Sequence, residues 1–106
     1  MKKIFYILAA LLLFACEKVE KGSIYGTVFY KNKGEPVAAA IVTLHAGNDM
    51  FSEQTTVTGS DGYYFFDNVD AESIYTEIWA EKNGYKSEVI DVYITKGKKT
   101  KIDIPL

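Results

Sequence analysis

The chain contains no arginine, a single cysteine, a single histidine and two prolines, and each shortage closes off a class of chemistry. Without arginine there is no planar fork for bidentate capture of a discrete phosphate or carboxylate, which argues against a specific anionic-ligand site. The lone cysteine, Cys16, has no partner for an intrachain disulfide. The lone histidine, His45, falls short of the three or four ligands of a zinc-type site, and no cofactor-binding pattern accompanies it. Beyond the first fifteen residues no long apolar run occurs, and the formal charge of the whole chain is only −2. With so mild an acidic balance and no basic stripe, nucleic acid is not an expected partner.

The N-terminus has the layout of an export signal. Lys2 and Lys3 form a positive start, and residues 4–15 are continuously apolar. A bilayer-spanning helix needs about 20 such residues, so this stretch is too short to be one. It ends in Leu13-Phe14-Ala15-Cys16, which resembles the lipobox of bacterial lipoproteins, where a small residue precedes the cysteine. That resemblance implies alkylation of the Cys16 thiol by diacylglycerol, cleavage after Ala15 and acylation of the new amino group. Several acyl chains anchor a protein stably where one holds it only marginally. The implied location is the cell envelope, with the chain lipid-anchored to the outer membrane and its face unresolved. An ordinary secretory signal is the alternative. Residues 1–15 would then be the signal peptide, 16–22 the acylated cysteine and a charged tether, and 23–106 a single domain. Loss of Lys2 and Lys3 leaves ten lysines against fourteen acidic residues, a charge of −4.

From Ser23 the apolar residues recur with a period of two, the mark of strands with one buried face. Ile24, Gly26, Val28 and Tyr30 alternate with Tyr25, Thr27 and Phe29, and a turn over residues 31–36 leads to a second strand burying Ala40, Val42 and Leu44. A polar third strand over 53–58 reaches the turn Gly59-Ser60-Asp61-Gly62, expected to be a hairpin that directs Tyr64 and Phe66 inward and Tyr63 and Phe65 outward. A loop over 67–73 and a fifth strand over 74–82 follow, the latter with Ile74, Thr76, Ile78 and Ala80 inward, because burying Glu77 unpaired would cost several kcal/mol. That phase exposes Trp79. After the hairpin signal Asn83-Gly84 come a sixth strand over 86–94, with Ile90, Val92 and Ile94 inward, and a seventh over 100–106, with Ile102, Ile104 and Leu106 inward. Seven short strands predict an all-β, Greek-key sandwich.

These segments resemble the carboxypeptidase regulatory-like domain of the prealbumin-like, transthyretin-like β-sandwiches. The resemblance is carried in order by Ile24-Tyr25-Gly26-Thr27-Val28, Gly34-Glu35-Pro36-Val37, Ala40-Ile41-Val42-Thr43-Leu44, the run from Thr58 to Phe66, Tyr75 and Gly84-Tyr85. The spacing from Tyr75 to Tyr85 is about a residue longer than the family pattern. Gly26 is expected to make room for a bulky side chain across the sandwich, and Tyr85 to pack over its end. Domains of this kind accompany peptidases or sit at the N-terminus of energised outer-membrane transporters without performing chemistry, so the resemblance implies a non-catalytic, lipid-anchored accessory module with a protein partner. Dioxygenases of related shape use two histidines with two tyrosines, and the transthyretin-related hydrolase uses histidines, an arginine and a Tyr-Arg-Gly-Ser tail; this chain has one histidine and ends Asp103-Ile104-Pro105-Leu106. A small hydrolase is therefore the third reading.

The candidate binding surface is the outward aromatic set Tyr25, Phe29, Tyr63, Phe65, Trp79 and Tyr93. Exposed rings on a rigid sheet suit a protein partner or the stacking of sugar rings, which makes a glycan-binding surface lipoprotein the second reading. The bland alternative is that they cover one another as cross-strand pairs. Asp61, Asp67, Asn68 and Asp70 gather near the turn and its exit, but their spacing matches no calcium loop.

Overall fold

The computed structural model describes residues 21–46, 53–71 and 76–106. They form an all-β sandwich of two sheets, as the period-two pattern predicts. The first sheet has β1 (Lys21–Phe29) at its centre, flanked on one side by β4 (Tyr63–Asp70) and on the other by β8 (Lys99–Lys101) and β9 (Ile104–Pro105). The second sheet runs β3 (Glu53–Val57), β2 (Ile41–His45) and β5 (Glu77–Lys82), and β5 carries β6 (Tyr85–Lys86) and β7 (Ile90–Asp91) on its far edge.

The core is built by the predicted inward residues. Ile24 and Val28 of β1, Val42 and Leu44 of β2, Tyr64 and Phe66 of β4, and Ile78 and Ala80 of β5 are all buried, joined by Val37, Val69, Val92, Ile94 and Ile104. Every core side chain among the described residues lies at or after Ile24. Thr76 is buried in phase with Ile78, as expected, while Ile74 lies outside the described residues. Ile90, Ile102 and Leu106 are only partly buried at the margins of the core.

Six expectations about local structure are corrected. The turn over 59–62 is not a hairpin: β3 pairs with β2 and β4 pairs with β1, so the chain here crosses from one sheet to the other. Gly62, at φ 77°, passes within 2.6 Å of the Val28 carbonyl as measured from an added Cβ, which is why a glycine stands at the crossing. Residues 67–70 are not loop but the continuation of β4, disguised in sequence by a bulge. Gly22 faces Val69 and Ile24 faces Phe66, so one residue of β1 opposes Asp67 and Asn68, and Asn68 takes the left-handed conformation at φ 53°.

The sixth and seventh expected strands are each broken in two. Between β6 and β7, Ser87 turns its hydroxyl into the ladder and accepts a hydrogen bond from the Ala80 amide at 2.9 Å. Between β8 and β9 the backbone bends toward β1. Gly26 permits this: a Cβ there would stand 1.8 Å from the Ile102 carbonyl oxygen, so the space serves a neighbouring backbone rather than a bulky side chain from across the sandwich. The Tyr64 hydroxyl donates to that carbonyl from within the core, and the Thr27 amide donates to Asp103 Oδ1 at 3.0 Å. Both β8 and β9 run parallel to β1.

Asn83 and Gly84, at φ 52° and 84°, form the expected tight hairpin between β5 and β6. Tyr85 does not pack over the sandwich end; it is 74% exposed. Thr58 closes the entry to β2: its hydroxyl donates to the Val37 carbonyl at 2.6 Å and accepts from the Ala40 amide at 2.9 Å. Among the described residues no buried side-chain polar atom lacks a partner.

Candidate functional site

Register divides the six candidate aromatics between surfaces. On the outer face of the first sheet Tyr25 lies between Phe65 on β4 and Lys101 on β8, and one step along Thr27 lies beside Tyr63. A further step brings Phe29 between Pro36 and Pro105. Tyr25, Phe29, Tyr63 and Phe65 therefore share one face, because all four are out of phase with the buried Ile24, Val28, Tyr64 and Phe66. Tyr63 and Phe65 are 46% and 40% exposed, whereas Tyr25 and Phe29, on the central strand, are half-buried. The Tyr25 and Tyr63 rings stand 6.4 Å apart at 41°, so cross-strand cover accounts for part of the burial. What stays open is a ribbon of aromatic and proline surface with Lys101 at its margin.

Trp79 and Tyr93 are elsewhere. Trp79 is on β5 in the opposite sheet and is half-buried rather than exposed, with Lys86 Nζ 4.8 Å above its ring. Tyr93 is 57% exposed beside Ile94, at the end of the sandwich where β1 begins. Cys16 lies outside the described residues.

A second feature was missed from sequence. At the far end of β1, a cleft of about 400 Å³ opens between Tyr30, Asn32, Lys82, Asn83, Tyr85 and Lys86, with Leu106 at its base. Tyr30 was expected in phase with the core, and the phase fails because β1 ends at Phe29. The Asn83-Gly84 signal was legible and carries Tyr85 to the cleft rim. The lysines here are not loose cations: Lys82 Nζ donates to the Ala38 carbonyl and Lys86 covers Trp79.

The acidic residues near the turn are not brought together. Asp61 Oδ1 accepts from the Tyr63 amide at 3.0 Å at one end of β4, and Asp70 pairs with Lys21 at 2.6 Å at the other. His45 is half-buried on the outer side of β2, in register with Glu53 and Glu77. Among the described residues no group of three His, Cys, Asp or Glu is placed to hold a metal ion. Among the described residues the one strongly shifted titrating group is in the core: burial, and secondarily the Asp103 carboxylate, hold the Tyr64 hydroxyl well above the usual tyrosine range.

Comparison with solved structures finds the same fold in several settings. The dioxygenase domain of a dioxygenase–carbohydrate-binding fusion from Streptomyces sp. SirexAA-E aligns at TM-score 0.65 and 14% identity, over 87% of this chain and 82% of that one. A DUF3823 family protein from Parabacteroides merdae aligns at 0.60 and 15%, over 83% and 46%. A candidate carbohydrate-binding protein from Bacteroides uniformis aligns at 0.56 and 20%, over 78% and 40%. The chain thus spans less than half of the last two. At these identities the likeness concerns the fold. No curated protein matches the sequence. The family model for the carboxypeptidase regulatory-like domain matches residues 23–106, the whole sandwich from Ser23 onward, and the chain belongs to that family.

Proposed function

We propose that the protein is a non-catalytic binding module of the bacterial cell envelope, anchored to the outer membrane through lipid on Cys16, which offers the aromatic face of its first sheet to a protein partner. The observation that carries the docking reading is the convergence of Tyr25, Phe29, Tyr63 and Phe65 with Pro36 and Pro105 on one rigid face. Aromatic rings on a strand-built platform bind with little entropy left to lose, since the backbone beneath them is already fixed. Family membership supports the absence of catalysis, as does the single histidine, which is too few for the two-histidine centre of the related dioxygenases.

Two experiments test this. Labelling cells with a fatty acid should mark the wild-type protein and not Cys16→Ser; label retained by the variant refutes the anchor. A photo-cross-linking residue at position 65 should give a discrete protein adduct that the same residue at Val57, exposed on the opposite sheet, does not give. Absence of an adduct at 65, or one common to both positions, refutes the docking face.

The cleft at the far end favours a second reading, glycan binding, because Tyr30 and Tyr85 line it together with Asn32 and Asn83. Trp79 is not among the cleft-lining residues, so its fluorescence is a poor reporter there. Calorimetric titration with an oligosaccharide panel is the test, and a signal that survives Tyr85→Ala would count against the cleft.

A further inference from the structure

A sheet edge invites pairing with another chain, and a sandwich of two open sheets has one on each side of each sheet. Among the described residues all but one of these edges are guarded. On β4 the Tyr63 amide is taken by Asp61 Oδ1 at 3.0 Å and its carbonyl by the Gly59 amide at 3.1 Å, and the bulge at Asp67 and Asn68 twists the rest of the strand. The edge of β8 and β9 carries Lys99, Lys101 and Pro105. The edge of β6 and β7 is two short pieces parted at Ser87, whose hydroxyl enters the ladder. β3 has none of these devices. It runs Glu53-Gln54-Thr55-Thr56-Val57 in unbroken register with β2, without lysine, proline or glycine, and ends the second sheet. The Thr58 amide donates to the Ala40 carbonyl at 2.9 Å, so alternation turns the backbone of Thr56 and Gln54 toward β2 and that of Glu53, Thr55 and Val57 outward. All three of these outward residues are exposed.

We propose that a second copy of this chain fills this edge, β3 pairing antiparallel with β3 about a two-fold axis at Thr55, so that the two second sheets become one. The strand is complementary to itself in that register. Each outward N–H meets an outward C=O of the mate, Thr55 faces Thr55 of the copy, and Glu53, the one charge on the strand, faces Val57 instead of another Glu53. Because the axis stands perpendicular to the joined sheet, both first sheets fall on the same side of it. Two aromatic faces are then presented together, and a partner with two matching sites gains avidity without any new contact. The pairing does not rest on the docking reading, since Tyr25, Phe29, Tyr63 and Phe65 lie on the other sheet. A five-residue strand pairing buries less than the roughly 1,200 Å² of a stable interface, so the dimer is weak and is best read by trapping it.

The chain from residue 16 onward carrying Cys16→Ser retains the whole family domain and has no other cysteine. In that background Thr55→Cys should form a disulfide-linked dimer under mild oxidant, because the paired Cα atoms stand about 5.5 Å apart. Glu53→Cys should not, its mate being about 14 Å away in this register, whereas Glu53→Cys combined with Val57→Cys should link. Without the trap, sedimentation at high concentration should move the Thr55 protein toward the mass of two chains. Thr55→Lys, which sets like charges face to face at the axis, should stay at the mass of one. Equal linking by Thr55→Cys and Glu53→Cys, no linking by either, or self-association that survives Thr55→Lys overturns the proposal; no linking leaves the edge to a strand of a different protein. The photo-cross-linker at Val57 should mark a second copy, an adduct of twice the chain mass and distinct from the partner adduct expected at 65, so the two readings fail separately.

Discussion

Replacing Gly26 with alanine should remove a large share of the domain's stability, although the change adds one methyl group to a strand that otherwise favours side chains. The added Cβ would lie 1.8 Å from the Ile102 carbonyl oxygen, 2.6 Å from its carbon and 3.1 Å from the Tyr64 ring. Two of these three obstacles are backbone, so no rotamer change relieves the clash. Either the segment between β8 and β9 moves off β1, or β1 itself bends. Overpacking of this kind costs about 1–3 kcal/mol. Movement of the Ile102 carbonyl also breaks its bond from the buried Tyr64 hydroxyl, a further 1–3 kcal/mol or so. The sum, about 2–6 kcal/mol, compares with about 4–13 kcal/mol for the stability of a domain this size. Urea unfolding followed by Trp79 fluorescence measures it. Gly59→Ala is the control, since its Cβ would meet only the movable Asp61 carboxylate at 3.3 Å, and it should change stability by less than about 1 kcal/mol. Because Gly26 and Tyr64 act on one carbonyl, Gly26→Ala and Tyr64→Phe should be non-additive in a double-mutant cycle. A Gly26→Ala protein as stable as the Gly59→Ala control, or strict additivity with Tyr64→Phe, would show that the close approach of Ile102 to β1 is not what the glycine serves.

Tyr64 also sets a pH limit: its hydroxyl is held neutral above the ordinary tyrosine pKa of about 10, so the stability it confers is complete below that pH and is lost as pH rises beyond it, by up to about 1.4 kcal/mol per unit. Urea midpoints measured from pH 8 to 11 should therefore fall more steeply for wild type than for Tyr64→Phe, and parallel curves would contradict the assignment. Thr58→Val should cost about 2–4 kcal/mol in the same assay, because it strands the Val37 carbonyl and the Ala40 amide in the interior. Lys21→Met should cost less than about 1 kcal/mol despite the 2.6 Å contact with Asp70, both side chains being more than two-fifths exposed. At the hairpin, Asn83→Ala should destabilise by about 1 kcal/mol and Asn83→Gly should not, since only the former penalises φ 52°.

What could be read in advance was whatever the side-chain period encodes, and what could not was whatever depends on backbone pairing. Tyr64 and Phe66 inward with Tyr63 and Phe65 outward follows from alternation alone, and so does the burial of Thr76, Ile78 and Ala80. The partner of each strand leaves no such trace: Gly59-Ser60-Asp61-Gly62 has the chemistry of a hairpin turn, but the same positive-φ glycine also serves a chain crossing between sheets. The bulge at Asp67 and Asn68 hid four residues of β4, because one extra residue reverses the alternation and imitates a loop. For the aromatics, period two told inside from outside but not one outer face from the other. Tyr25, Phe29, Tyr63 and Phe65 meet only because β4 pairs with β1, whereas Trp79 is carried to the second sheet by pairing of β5 with β2. Tyr93, which falls in no strand, stays apart from that face. Two adjacent stretches of an otherwise unrevealing C-terminus, Tyr93 to Thr95 and Lys96 to Lys99, come to stand beside the first residues of β1 because the backbone of the last turn bonds to Lys21 and Ser23, a pairing that side-chain period does not encode.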